Sequence, residues 1–160
     1  MMGSGKSVTG KVLAEQMDME FKDLDEIIEK KTGRSIAQIF KLDGEEAFRV
    51  LETRSLVEIS SVKNNVIATG GGVILKQDNV GIMKDTGILI YLETSLDVLW
   101  DRVKNKQDRP LIQGEDPKLN LTLILKARKE LYERISDLKV ETDGKSALEV
   151  AKNIIKLVTV

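Results

Sequence analysis

The sequence predicts an α/β protein, a parallel sheet covered by helices, and three observations carry that prediction. Short apolar runs alternate with helical periodicities along the whole chain, as expected of repeated βα units. One of the runs, "GILIYLE", is almost continuously apolar, which suits a strand buried on both faces. Near the front, "GSGKS" opens a helix, and such loops hold phosphate at helix N-termini in α/β sheets.

The elements follow in order. "KSVTGKVLAEQM" reads as a helix whose apolar face is Val8, Val12, Leu13 and Met17. "EFKDLD" reads as a short strand running into acids, and "DEIIEKK" as a helix stopped at Gly33. Ser35 is placed to cap "IAQIFKL", and "GEEAFRVLETRSLVEISSV" is a longer helix. "NVIAT" is a β-branched strand ending abruptly at three glycines; after "GILIYLE" comes the helix "LDVLWDRV". "KNKQDRPLIQGEDPK" is polar, holds both prolines and reads as a long loop. "LNLTLILKARKELYERIS" is a helix, "LKVETD" a strand and "SALEVAKNIIKLV" a closing helix.

Composition bounds the function. With 160 residues, 41% apolar and 32% charged, the chain has the size and balance of one ordinary folded domain. A net charge of −1 supplies no field for nucleic acid or an anionic membrane. There is no cysteine, hence no disulfide or thiolate site, and no histidine, which removes the usual general base. No apolar run reaches the ~18 residues of a membrane span, and no signal peptide is visible, so a cytoplasmic location is expected.

The chemistry begins at the glycine-rich loop. Gly5, Lys6 and Ser7 form the end of the phosphate-loop pattern, whose first glycine would fall one residue before Met1. Gly3 allows close main-chain approach, the loop N–H groups would hold phosphate oxygens, Lys6 would reach the β- and γ-phosphates, and Ser7 would ligate Mg²⁺. The competing reading is a Gly-Ser turn before an exposed lysine. In "FKDLDEII", strand alternation would send the Asp23 and Asp25 carboxylates to one side if the strand continues that far. One would orient a magnesium-bound water and the other accept a proton from a substrate hydroxyl; helix capping competes with and can accompany either role. The glycines of "ATGGGVIL" leave main-chain N–H groups open to a ligand at a strand's carboxyl end, where open α/β sheets bind ligands. Arg49, Arg109 and Arg128 stand in contexts that suit paired hydrogen bonds to carboxylate or phosphate, although each alone is more readily a solvated side chain.

Taken together, "GSGKS", "DLD", "GRSIAQIF", "DGEEAFR", "ATGGGV" and "RPLI", in that order and spacing, resemble shikimate kinase, of the nucleoside-monophosphate-kinase-like group of P-loop proteins. The similarity runs through nearly the whole chain. It implies a three-layer α/β sandwich with a central parallel sheet ordered 2-3-1-4-5, a shikimate-binding region at about 24–55 and a mobile lid at about 104–118. It also implies phosphorylation of the 3-hydroxyl of shikimate by ATP with Mg²⁺, by a cytoplasmic monomer with no nucleic-acid or membrane partner. Nothing in the sequence stands ahead of the loop as the family's first strand, so the chain reads as a longer kinase entered at an internal methionine.

The resemblance also implies site roles. Gly3, Ser4, Gly5, Lys6, Ser7, Val8, Arg102 and Arg109 would bind ATP, Arg102 packing on adenine and Arg109 closing from the lid. Ser7 and Asp23 would hold Mg²⁺, while Lys6, Asp25 and Arg109 would be catalytic. Asp25, Arg49, Gly71, Gly72 and Arg128 would bind shikimate, the two arginines clamping its carboxylate. Glu52 would orient the Arg49 region, with Phe40 and Phe48 as an apolar wall. Two positions depart from the family: Leu24 replaces a small hydroxyl residue between the acids, and Lys145 an adenine-packing arginine. Another small-molecule kinase of this architecture and a non-catalytic relative are the rival readings; the first conflicts with Asp25, Arg49 and Arg128, the second with intact Lys6, Ser7, Asp25 and Arg109.

Overall fold

The structure, a computed structural model, describes residues 1–105, 110–112 and 114–159. Helix α1 (Lys6–Gln16) is followed by β1 (Glu20–Asp23), α2 (Leu24–Thr32), α3 (Ile36–Leu42) and α4 (Gly44–Ser60). Then come β2 (Asn65–Ala68), α5 (Gln77–Thr86), β3 (Ile90–Glu93), α6 (Leu96–Val103), α7 (Pro117–Ile135), β4 (Leu138–Glu141) and α8 (Ala147–Val158). Short 3₁₀ turns lie at Val73–Leu75 and Pro110–Ile112. Among the described residues no helix is long and apolar enough to cross a membrane.

The strands form two parallel pairs, β1–β2 and β3–β4. A cavity of about 640 Å³ separates them, bordered by Val66 and Ala68 of β2, Ile90 and Leu92 of β3, and Leu13 and Gly10 of α1. The expected order 2-3-1-4-5 is therefore seen as its two flanks, with the cavity at the central position.

Period-2 alternation builds the layers. In β3, Ile90 and Leu92 pack toward the cluster of Leu13, Val150, Ala151 and Ile154 on α1 and α8, while Tyr91 turns to the opposite cluster. Val66 and Ile67 of β2 divide the same way. Two apolar faces need two helical covers, which is the expected three-layer sandwich.

Some elements differ from the sequence reading. α5 was not expected, because "QDNVGIMKDT" carries a central glycine and two aspartates. Its helix is held by tertiary contacts, notably fully buried Asn79 and Met83. α7 starts at Pro117 rather than beyond it, since proline at the first helical position loses no bond that the helix would make, and Asp116 caps the turn by accepting from Leu119 N at 2.9 Å. Along α1 the buried face is Thr9, Gly10, Leu13 and Ala14, with Val8 at 63% exposure. The reason is Phe21: a Cβ on Gly10 would lie 2.6 Å from its ring, so α1 packs by its small residues.

Candidate active site

The site lies where the elements leave β1 and β2. Their register sets Asp23 opposite Ala68, so Leu24-Asp25 and Thr69-Gly70 depart from the strands side by side. β1 ends at Asp23, and Asp25 sits in the first turn of α2. The carboxylates are thus not paired by strand alternation, as the sequence reading supposed; a strand end and a helix start place them. Leu24 between them is fully buried, and that apolar anchor fixes where α2 begins.

Asp23 serves two ends at once. Its Oδ1 caps α2 by accepting from Asp25 N at 3.0 Å, and its Oδ2 accepts from Ser7 Oγ at 2.5 Å. Capping by this acid is therefore seen, and it leaves Oδ2 turned to Ser7. Two hard oxygens on rigid elements suit Mg²⁺, which usually keeps several waters and takes few protein ligands. Among the described residues no group of three or more acidic, cysteine or histidine side chains able to hold a metal occurs.

The glycine-rich loop is wound tightly. Gly3 and Gly5 have φ of +76° and +88°, left-handed conformations that a side chain would strain. Ser4 Oγ and Lys6 Nζ both donate to Met1 O, at 2.9 and 2.5 Å. Gly5 is the N-cap of α1 with no side-chain cap, which leaves first-turn N–H groups open to an anion. Val8 offers only its main chain here, since its side chain is exposed. Arg102 reaches across from α6 and donates to Gly3 O at 3.1 Å, on the exposed edge of the loop. Arg109 lies outside the described residues, as does part of the expected lid.

The glycine loop after β2 faces Asp25. A Cβ on Gly70 would stand 3.0 Å from Asp25 Oδ1 and 3.1 Å from Glu52 Oε1, so both carboxylates close on one main-chain point. Glu52 is fully buried; its Oε2 accepts from Arg49 Nη1 at 2.8 Å, and its Oε1 has no hydrogen-bond partner among the described residues. Burial pushes the Glu52 carboxyl above its ordinary value, against the opposing pull of Arg49. Arg49 also donates to Glu45 at 2.7 Å and lies over the Phe48 ring, which packs on Phe40 at 4.9 Å. Burial disfavours the guanidinium charge, but Glu52 and Glu45 outweigh it and its pKa is raised. Gly72 lies directly against this guanidinium.

Arg128 of α7 is buried and close enough to Glu52 to favour that group's charged form. One turn on, Tyr132 donates to Gly71 O at 2.5 Å and stacks on Tyr91 at 5.1 Å. Sequence reasoning missed Tyr132 and Gly70. The spacing of four between Arg128 and Tyr132, one helical face, was the available signal.

The described site residues thus converge, with the glycine-rich loop at one end and, at the other, buried Arg128 and half-buried Arg49 near Asp25. A carboxylate-bearing substrate with a hydroxyl near Asp25, and a polyphosphate along α1, would fit that division of charge.

The family model described as shikimate kinase matches residues 2–159. A shikimate kinase of Actinobacillus pleuropneumoniae serotype 5b is 42% identical over 157 residues, covering 98% of this chain and 91% of that protein. One of Thermodesulfovibrio yellowstonii is 41% identical over 155 residues, covering 97% and 89%. Among solved structures, a shikimate kinase from Acinetobacter baumannii in complex with shikimate superposes with a TM-score of 0.96 at 40% identity, covering 99% of this chain and 88% of that one. A shikimate kinase from Bacteroides thetaiotaomicron gives 0.88 at 30% identity, covering 99% and 94%.

Proposed function

Because the chain belongs to the shikimate kinase family, we propose that it transfers the γ-phosphoryl group of ATP to the 3-hydroxyl of shikimate, as a cytoplasmic monomer. The observation that carries the reading is the convergence of Asp25, the Glu52–Arg49 pair and the triple glycine at the carboxyl ends of β1 and β2.

In this reading Arg49 and Arg128 clamp the substrate carboxylate, and the Gly71 and Gly72 main chain meets the ring. Asp25 accepts a hydrogen bond from the reacting hydroxyl, aims its oxygen in line with the phosphoryl group and takes its proton. Lys6 leaves Met1 O for the β- and γ-phosphates, which the loop and first-turn N–H groups also hold. Ser7 and Asp23 would hold the metal and Arg102 would flank the adenine; Arg109 and part of the expected lid at 104–118, outside the described residues, would cover the phosphates. When bound there, Mg²⁺ would supply positive charge to offset the negative charge developing on the transferred group. No histidine is required, because phosphoryl transfer depends on position and charge more than on covalent assistance.

The test is ADP release coupled to a dehydrogenase, with Mg²⁺ and shikimate, gluconate or AMP as acceptor. ADP formation that requires shikimate and Mg²⁺ is expected. Equal turnover with gluconate or AMP, or turnover indifferent to any acceptor, would overturn the assignment.

A further inference from the structure

We infer that Tyr132 is a positioning residue for the acid substrate, its hydroxyl tying the glycine loop to the helix that carries Arg128. This rests on the kinase reading above but goes beyond it, since Tyr132 needs to touch neither substrate.

Tyr132 and Arg128 share one face of α7, four residues apart, and both are 7% exposed. The Tyr132 hydroxyl donates to Gly71 O at 2.5 Å, joining segments 61 residues apart in the chain. Its ring stacks on Tyr91 with an interplanar angle of 17°, so β3 sets where the hydroxyl stands. Gly71 permits the approach, since a Cβ there would be only 3.2 Å from the Tyr132 oxygen. Burial holds the Tyr132 pKa above its ordinary value in spite of Arg128 nearby, so the hydroxyl remains a donor at neutral pH.

The peptide unit transmits the consequence. In a planar trans peptide, C=O and the following N–H point to opposite sides. Pinning Gly71 O toward α7 therefore aims the Gly72 N–H the other way and fixes Gly72 against the Arg49 guanidinium. One hydroxyl thereby sets the spacing between the Arg128 helix and the Arg49 wall, the distance a bidentate carboxylate clamp must match.

Tyr132→Phe keeps the ring stack and deletes only the hydroxyl. The expected result is a rise of about tenfold in KM for shikimate, with KM for MgATP within about twofold and kcat within about threefold, as for loss of the buried hydrogen bond to Gly71 O together with the hydroxyl's contacts to Arg128 and Met1 Sδ. In the substrate-free protein, amide exchange over residues 71–73 should accelerate by a similar factor. A parent that phosphorylates shikimate beside a variant with unchanged shikimate KM overturns the inference. So does a parallel rise in both KM values, which marks general structural damage. If the parent does not phosphorylate shikimate, the kinase reading fails and the exchange arm alone decides, with unchanged exchange overturning the tether and faster exchange supporting it.

Discussion

Gly72→Ala is a sharp test of the site, because its effect is confined to one contact. The backbone at Gly72 has φ −96° and ψ −7°, which any residue adopts, so alanine brings no backbone strain. Its Cβ would instead stand 2.5 Å from Nη1 and Nη2 of Arg49 and 2.7 Å from Cζ, where ordinary contact begins at 3.4 Å. The guanidinium must retreat by about 1 Å, comparable to the misplacement that costs catalysis about 10²-fold. Retreat is opposed, since Nη1 is bonded to Glu52 at 2.8 Å and Nη2 to Glu45 at 2.7 Å, with the Phe48 ring beneath. Stretching the Glu52 contact by that amount takes it outside hydrogen-bond range and leaves a buried carboxylate without its partner. Full rupture of a buried pair costs about 3–5 kcal/mol; Glu52 relieves part of this by taking up a proton, which its burial already favours. We expect kcat/KM for shikimate to fall about 10²-fold, equivalent to about 2.7 kcal/mol, with MgATP affinity within about twofold. Steady-state kinetics with each substrate varied measures both. Gly81→Ala is the control, because nothing lies within 4 Å of its added Cβ and helix propensity favours alanine. A Gly72→Ala enzyme within about threefold of the parent for shikimate would refute the claim that this glycine spaces Arg49.

Three further predictions follow from the same geometry. Asp25→Asn should lower phosphoryl transfer about 10²-fold or more while nucleotide binding is retained; a rate within a fewfold of the parent would reduce Asp25 to the start of a helix. Arg128→Ala should weaken shikimate by about 1.5–3 kcal/mol, as for a hydrogen bond to a charged group, and leave ATP nearly untouched; equal losses for both ligands would move Arg128 out of the acid pocket. Burial raises Tyr91 to about 12 and Tyr132 above 10, so the chain's two tyrosines should show no ionisation step at pH 10 in the native ultraviolet spectrum and a full one when unfolded. Raised acid pKa values stabilise the folded state below pH 10, and for Tyr91 that contribution is lost as pH climbs through about 12. A native step at pH 10 would contradict the burial of both rings.

Much of this was legible because it depends on local rules. The strands and most helices follow from apolar periodicity, and Ser35 and Ser146 close the capping boxes that start α3 and α8. The cradle is legible for the same reason, since Gly3, Gly5, Lys6 and Ser7 act within one turn of chain. What was not legible depends on partners distant in sequence. The exposed Val8 and buried Thr9 follow from Phe21 pressing on Gly10, which no periodicity in α1 could reveal. α5 depends on a fully buried Asn79, whose Nδ2 donates to Val73 O at 3.2 Å and braces the turn after the glycine loop. Strand alternation would pair Asp25 with Asp23 only if the strand ran on, and β1 ends two residues before the end of the motif.

The charges of the site suggest why its acids and bases are arranged in tiers rather than as isolated pairs. Phosphoryl transfer needs cations held without freedom to reorganise, yet a buried arginine costs desolvation unless it is paired. Arg49 meets both demands through Glu45 at the rim and Glu52 in the core. Its fork is oriented before a carboxylate arrives, and Glu52 keeps one oxygen unpartnered beside Asp25. That oxygen matters because the Asp25 carboxylate beside it adds to burial in raising the Glu52 pKa. Burial already biases Glu52 toward its neutral form, and Arg49 biases it toward the charged one. The closer Arg49 stays to Glu52, the more charge Glu52 carries. If Arg49 clamps the substrate carboxylate and Asp25 accepts the proton, as proposed above, a displaced Arg49 loosens the clamp and changes the charge beside Asp25 together, so changes at Gly72 should lower kcat for shikimate as well as raise its KM.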